Sequence, residues 1–229
     1  MPFVKYRAVP AAALAGVDAS APAEAAVEPQ IEALVCELEH ADAGRRWRAA
    51  RALAGAAGLG DILAARLAEE RDTAVRAGLF AALTAIGGVA AARLLAPFLR
   101  SPDAGLRGGA IEALKQLKDA AIPVVDALLA DADADTRMLA VEVTRAWPEH
   151  ESAPRLAAIL AGDRDVNVCA AAVDVASELG DTALLGRLAA LRARFPAQDF
   201  ILFAAEVARA RIQAQARKAG QCAPGPELP

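Results

Sequence analysis

A chain of 229 residues, 56% of them hydrophobic and only 4% aromatic, can bury a large core, but must build it from Ala, Leu and Val. The formal charge of −4 argues against a phosphate-binding surface, because nucleic-acid affinity rests chiefly on Lys and Arg neutralising phosphates. Cys36, Cys169 and Cys222 are odd in number and show no metal-ligand spacing, which excludes a disulfide framework and fits a reducing cytoplasm.

Residues 1–28 carry Lys5 and Arg7, then Ala, Pro and Gly with little periodicity. The apolar stretch that follows Arg7 is dominated by Ala and interrupted by Pro10, so it reads as a flexible leader rather than a secretory signal. Phe3, Val4 and Tyr6 are its candidates for docking on the remainder of the chain or on a partner. Pro29 opens the ordered part. Ile31, Leu34, Val35 and Leu38 fall at i, i+3, i+4 and i+7, with Glu32, Glu37 and Glu39 on the other side, as in an amphipathic helix that caps one end of a stack. Charges interrupt every later apolar stretch, so no membrane span is predicted.

A repeat follows. An Asp is succeeded four residues later by an Arg at Asp42/Arg46, Asp72/Arg76, Asp103/Arg107 and Asp133/Arg137, and two further copies read Asp165/Cys169 and Asp199/Phe203. The steps between these Asp residues are 30, 31, 30, 32 and 34. Seven and ten residues after each Asp the chain keeps a small or apolar column, Ala49/Ala52, Leu79/Ala82, Ala110/Ala113, Ala140/Val143 and Ala172/Val175, which is lost in the sixth copy at Glu206/Arg209. The stretch from Asp103 to Ala130 shows one unit in full: Ala110, Ile111, Ala113, Leu114 and Leu117, a turn at Asp119, then Ile122, Val124, Val125, Leu128 and Leu129. Both halves have helical spacing, so the unit is a helical hairpin. The Asp caps the first helix, and turns at Gly58, Gly87-Gly88, Asp119, Pro148 and Gly180-Asp181 separate the two helices. Neither helix can bury its face alone, which is why the units must stack. The array is predicted over 29–216, ending in a first helix from Gln198 to Ile212, with a loose tail at 217–229.

From Pro29 to Ile212 the Asp–Arg pairs and Ala columns resemble the HEAT-like repeats of the phycobilisome-lyase type. The resemblance implies an all-α solenoid, a right-handed superhelix of about five helical hairpins with a capping helix at each end. It also implies that Asp42, Arg46, Asp72, Arg76, Asp103, Arg107, Asp133 and Arg137 form a structural ladder between adjacent units, satisfying charges that would otherwise be partly buried without partners. In such stacks the second helices line the concave face.

Arg93, Arg155 and Arg187 occupy corresponding places early in three second helices, with Arg66 about a turn further along in another. Arg at a helix start opposes the helix dipole and suits contact with carboxylates, either of a partner or within the array, for instance Asp126 or Glu151. Catalytic groups are sparse. His40 and His150 fall in separate units, and the single His150-Glu151 pair is too few for the dinuclear iron site of the HEAT-like deoxyhypusine hydroxylases. Trp47, Trp147 and Tyr6 are dispersed and the net charge has the wrong sign for the HEAT-like DNA glycosylases. Cys169 stands in a helix among Val168, Ala170 and Ala171 and reads as a buried inert thiol.

The expectation is therefore a non-catalytic, cofactor-free scaffold of a bacterial cytoplasm that binds an acidic patch of another protein on its concave face. An accessory role in bilin or tetrapyrrole attachment is the alternative that the lyase resemblance suggests. Acidic residues dominate from Asp18 to Asp42 and basic ones from Arg187 to Lys218, so head-to-tail self-association is a further expectation.

Overall fold

The computed structural model of the chain describes residues 30–221, and within them all regular structure is helical. After α1 (30–37), the pairs are α2 (Ala43–Ala52) with α3 (Gly60–Glu69), α4 (Thr73–Ile86) with α5 (Gly88–Leu95), α6 (Ala104–Leu117) with α7 (Ile122–Leu129), α8 (Ala134–Thr144) with α9 (Glu149–Gly162), and α10 (Val166–Leu179) with α11 (Leu185–Arg194). The last helix, α12 (Asp199–Gln221), stands alone. The leader expected over 1–28 lies outside the described residues. The array does not stop at 216: residues 217–221, expected in the tail, continue α12.

First helices form one layer, each packed on the first helices before and after it. The second helices α3, α7, α9 and α11 lie chiefly against the first helix of the following unit. The reason is visible at fixed places in the repeat. Eight residues after each Asp stand Ala50, Phe80, Ile111, Val141 and Val173, and eleven after stand Leu53, Leu83, Leu114, Thr144 and Ala176, all of them buried. The core is continuous from Leu38 to Trp147, and a second cluster runs from Val141 to Ile212. They meet in α8, which gives Ala140 and Val143 to the first and Val141 to the second.

Local signals set the helix ends. Asp42, Asp72, Asp103, Asp133 and Asp165 each accept one or two N–H groups of the first turn that follows, at 2.7–3.2 Å. Gly180 closes α10 in the left-handed conformation that L side chains disfavour. Pro97 converts the end of the second helix of its unit into a 3-10 turn, Ala96–Arg100. This corrects the placing of Arg93, which sits in the last turn of an eight-residue α5 and not at a helix start. Arg155 is in the middle of α9, and only Arg187 lies in a first turn.

Two adjacent glycines in α6 meet opposite surroundings. A Cβ on Gly109 would lie 2.1 Å from the Phe80 ring of α4, whereas one on Gly108 would meet nothing within 4 Å. Ala at a helix interior gains about 1 kcal/mol over Gly where nothing obstructs it. Gly108→Ala should therefore raise stability by up to about 1 kcal/mol, while Gly109→Ala should lower it by about 1–3 kcal/mol through overpacking. Urea unfolding of the two variants beside the parent checks the opposite signs.

Candidate protein-binding surface

The charged side chains fall into those that hold the frame and those that face outward. In the frame, each Arg of the repeat turns back on the linker before its own helix. Arg46 donates through Nη1 to the carbonyls of His40 and Ala41, both at 2.9 Å, and Arg107 to those of Ser101 and Pro102 at 2.8 and 3.0 Å. Arg137 does the same to Asp131 and Ala132 at 2.9 and 3.1 Å, and Arg76 reaches the Glu70 carbonyl at 2.6 Å through Nε. At Arg46, Arg76 and Arg137 the free edge of the guanidinium then crosses to the next unit. Arg46 forms a bidentate pair with Glu70 at 2.7 and 3.0 Å, Arg137 one with Asp163 at the same distances, and Arg76 meets Asp103 at 2.8 Å.

The carboxylate that receives the Arg is thus the repeat Asp itself only at Asp103. For Arg46 and Arg137 it is the residue two places earlier. That position is a column of its own: His40, Glu70, Ser101, Asp131 and Asp163 each accept the backbone N–H of the repeat Asp, at 2.8–3.2 Å. His40 is one of these acceptors, bonded through Nδ1. Sequence reading missed the column because five copies use four residue types, joined only by having an acceptor in reach.

Cys169 leaves one clamp without its Arg, and α11 supplies the replacement. Arg194 donates to the carbonyls of Leu160 and Asp163, lies 5.1 Å from the Phe195 ring centroid and approaches Cys169 Sγ at 3.7 Å. Burial pushes the Cys169 thiol up, with Arg194 pulling partly against it. A second ladder joins three first helices, where Lys115 bridges Glu112 and Glu142 at 3.0 Å and Arg145 bridges Glu142, Asp174 and Glu178 at 2.5–2.9 Å. Its signal is a cation twelve residues after the repeat Asp, with acids nine residues after it in the same and the following unit.

Of the four second-helix arginines, two belong to the frame. Arg66 pairs with Glu70 at 2.7 Å. Arg155 takes Asp126 at 2.6 and 2.9 Å and Glu151 at 2.8 Å, over the Trp147 ring at 5.4 Å. Arg93 and Arg187 are exposed and form no ion pair among the described residues. Arg187 borders a groove of about 660 Å³ between α9 and α11, with Glu149, His150 and Asp181 at its rim and Pro154, Ala157 and Leu184 along it. Pro154 has no N–H to give the His150 carbonyl, so a helix acceptor is released beside the groove. A smaller hollow of about 370 Å³ lies on the first-helix layer, between α4 and α6 over Phe80, where Gly105 and Gly109 leave room. Its charged members Arg76 and Glu112 are already paired.

Residues 60–143 match the family model described as HEAT repeats. Over that stretch the array is built of HEAT repeats. The matched stretch runs from α3 nearly to the end of α8. Among solved structures, an archaeal HEAT-like repeats protein from Thermococcus onnurineus NA1 is similar at 16% identity, over 83% of this chain and 90% of that one, with a TM-score of 0.44. An engineered protein is similar at 20% identity over 80% and 98% of the respective chains (TM-score 0.39), and a designed armadillo repeat protein in complex with the peptide (KR)4 at 16% over 80% and 99% (TM-score 0.39). No curated protein matches the chain. No described helix of the array is long and apolar enough to cross a membrane.

The frame makes two predictions. Burial alone would raise the Glu70 carboxyl, but hydrogen bonds from Arg46 and from the N–H groups of Asp72 and Arg71, with the Arg66 charge, outweigh it and bring it from 4.5 down to about 2. A depressed carboxyl stabilises the fold fully above its unfolded value and loses that contribution as pH falls through the folded one, here from about 4.5 to about 2. Glu70→Gln should therefore cost about 3 kcal/mol at pH 7, and the gap to the parent should close as pH approaches 2, in denaturant titrations at each pH. Arg194→Ala should cost about 1–3 kcal/mol by leaving the Leu160 and Asp163 carbonyls unpaired, and adding Cys169→Arg should recover part of it, read from unfolding midpoints.

Proposed function

We propose that this HEAT-repeat chain is a non-catalytic scaffold that binds another protein on the second-helix side, with the α9–α11 groove as its principal contact. The observation that carries the reading is Arg187, an exposed, unpaired guanidinium beside an apolar trough and a released backbone acceptor. A guanidinium left free by the frame suits a carboxylate of the partner, which its planar fork binds in bidentate fashion. Pro154, Ala157 and Leu184 suit an apolar side chain next to that carboxylate, and Arg93 is a second unpaired cation three units before Arg187. A stacked frame adds preorganisation, since little ordering accompanies binding. The partner is thus a protein with an acidic patch that includes an apolar anchor, met in a bacterial cytoplasm.

The period of 30–34 residues and the Asp–Arg pairs support a second reading, an accessory subunit of bilin attachment resembling phycobilisome-lyase subunits. Titration with a free bilin, followed by its absorbance, separates the two.

A photo-crosslinking residue at Ala157 should trap a specific protein in cells, and the purified pair should weaken at least tenfold with Arg187→Glu, about the loss of one charge-assisted contact. Arg192→Glu, on the same helix but outside the groove, should leave affinity unchanged. An adduct whose affinity ignores both Arg187→Glu and Arg93→Glu would place the partner elsewhere.

A further inference from the structure

The last helix exposes what every earlier unit buries. The repeat positions filled by Ala50, Phe80, Ile111, Val141 and Val173 continue at Val207, and those filled by Leu53, Leu83, Leu114, Thr144 and Ala176 continue at Ala210. Both are exposed, Val207 by 50%. Phe203 stands at the position of the repeat Arg, which at Arg46, Arg76 and Arg137 crosses to the unit ahead, and it is 70% exposed. Phe200, Phe203, Val207, Ala210 and Ala214 follow one another at alternating steps of three and four, the spacing of a coiled-coil seam. This is the face that a further unit would cover.

Among the described residues, the opposite end of the first-helix layer does not supply the complement. The outward side of α2 carries Arg45, which is paired with Glu37 of α1, and Arg48 and Arg51, with Arg51 over the Trp47 ring at 4.9 Å. Head-to-tail stacking would bring Arg48 and Arg51 toward Arg211, Arg217 and Lys218 of α12. The expectation of head-to-tail association, drawn from the charges at the two ends of the chain, therefore meets like charges in this layer.

We propose instead that the seam is covered by the same seam of a second copy, the two α12 helices packing antiparallel across a two-fold axis. Within one helix, large residues precede small ones, so reversal sets Phe203 beside the partner's Ala214 and Val207 beside the partner's Ala210. Asp199 and Arg217 share one flank of the seam, 18 positions apart, and a two-fold axis normal to the helix keeps each flank on its own side. Asp199 then lies beside the partner's Arg217, twice over, and Phe200 beneath the stem and ammonium of the partner's Lys218. The pairing closes at two copies and leaves the α9–α11 groove of each copy outside it, so it stands or falls apart from the proposed scaffold role.

Sedimentation equilibrium of the full chain tests it. The parent should reach the mass of a dimer and stop there. Phe203→Glu should raise the dimer Kd by about 30-fold or more, as removal of a central aromatic anchor does, with unchanged circular dichroism and, at concentrations where the parent is monomeric, unchanged melting. Ala210→Glu is the second variant, for the case that the first fails to fold. Asp199→Lys and Arg217→Glu should each weaken the dimer, and their combination should restore it. A parent that stays monomeric at hundreds of micromolar would overturn the proposal. So would a dimer indifferent to Phe203→Glu and Ala210→Glu, charge variants that do not rescue each other, or a mass that climbs past two copies.

Discussion

An Arg guanidinium with one edge on backbone carbonyls and the other on a carboxylate of the next unit is the contact on which the stack depends. Each linker between units must leave one helix and enter the next within a few residues, so it carries carbonyls that neither helix can satisfy. Arg46, Arg107 and Arg137 take two of them apiece. The guanidinium fixes the linker and, in Arg46 and Arg137, also fixes the distance to the following unit through a bidentate pair. Lys could not do both, having a single rotating head instead of a planar fork. Ala and Gly in the first helices then let neighbours approach to the separation that the fork spans. Gly78, against Ala50 and Trp47, is one such place.

The sequence displays this arrangement wherever one residue type recurs at a fixed interval. The period, the capping Asp, the Arg four residues on and the paired helices could all be read from spacing, because each copy solves the same local problem with the same side chain. The acceptor column could not, since His40, Glu70, Ser101, Asp131 and Asp163 solve it with different chemistry. Nor could the role of Arg194, which fills the place vacated at Cys169 from a helix 25 residues later in the chain. A repeat defined by what a position must do tolerates exchange of residue type, and even of the element that supplies the group. Identity along the chain records only part of it.

The second-helix arginines show the same limit from the functional side. Arg66, Arg93, Arg155 and Arg187 are alike in sequence, and all four suit carboxylate recognition. What separates them is the neighbour across space. Glu70 holds Arg66, and Asp126 with Glu151 holds Arg155, whereas Arg93 and Arg187 form no ion pair among the described residues. A cation already paired and largely shielded from water has little to offer a partner, because a new contact would first have to break an existing one. Removing it would destabilise the fold and mimic a loss of binding. Exposure and lack of a partner are therefore the selective criteria, and they narrow the row to two residues.

The same reasoning bears on how a stack can end. Adding units stabilises an array because each covers the apolar face of the one before, so the final face is left uncovered by construction. A polar outer helix removes the problem, and at the first-helix end α2 does so with Arg45, Arg48 and Arg51. At the other end the change of residues runs the opposite way. Where the repeat calls for its Arg, α12 has Phe203, and where the repeat has a small or apolar residue in its own core it has Glu206 and Arg209. Exchanging a charge for an aromatic ring on the outward face, and apolar residues for charges elsewhere on the same helix, is not the drift of a decaying repeat, which would lose apolar character on all sides. Phe203 adds apolar character to the face that points away from the array, while Ile201, Ala205, Ala208 and Ile212 keep the inner face apolar, and an outer face of that kind is stabilised only by contact with something beyond the unit itself.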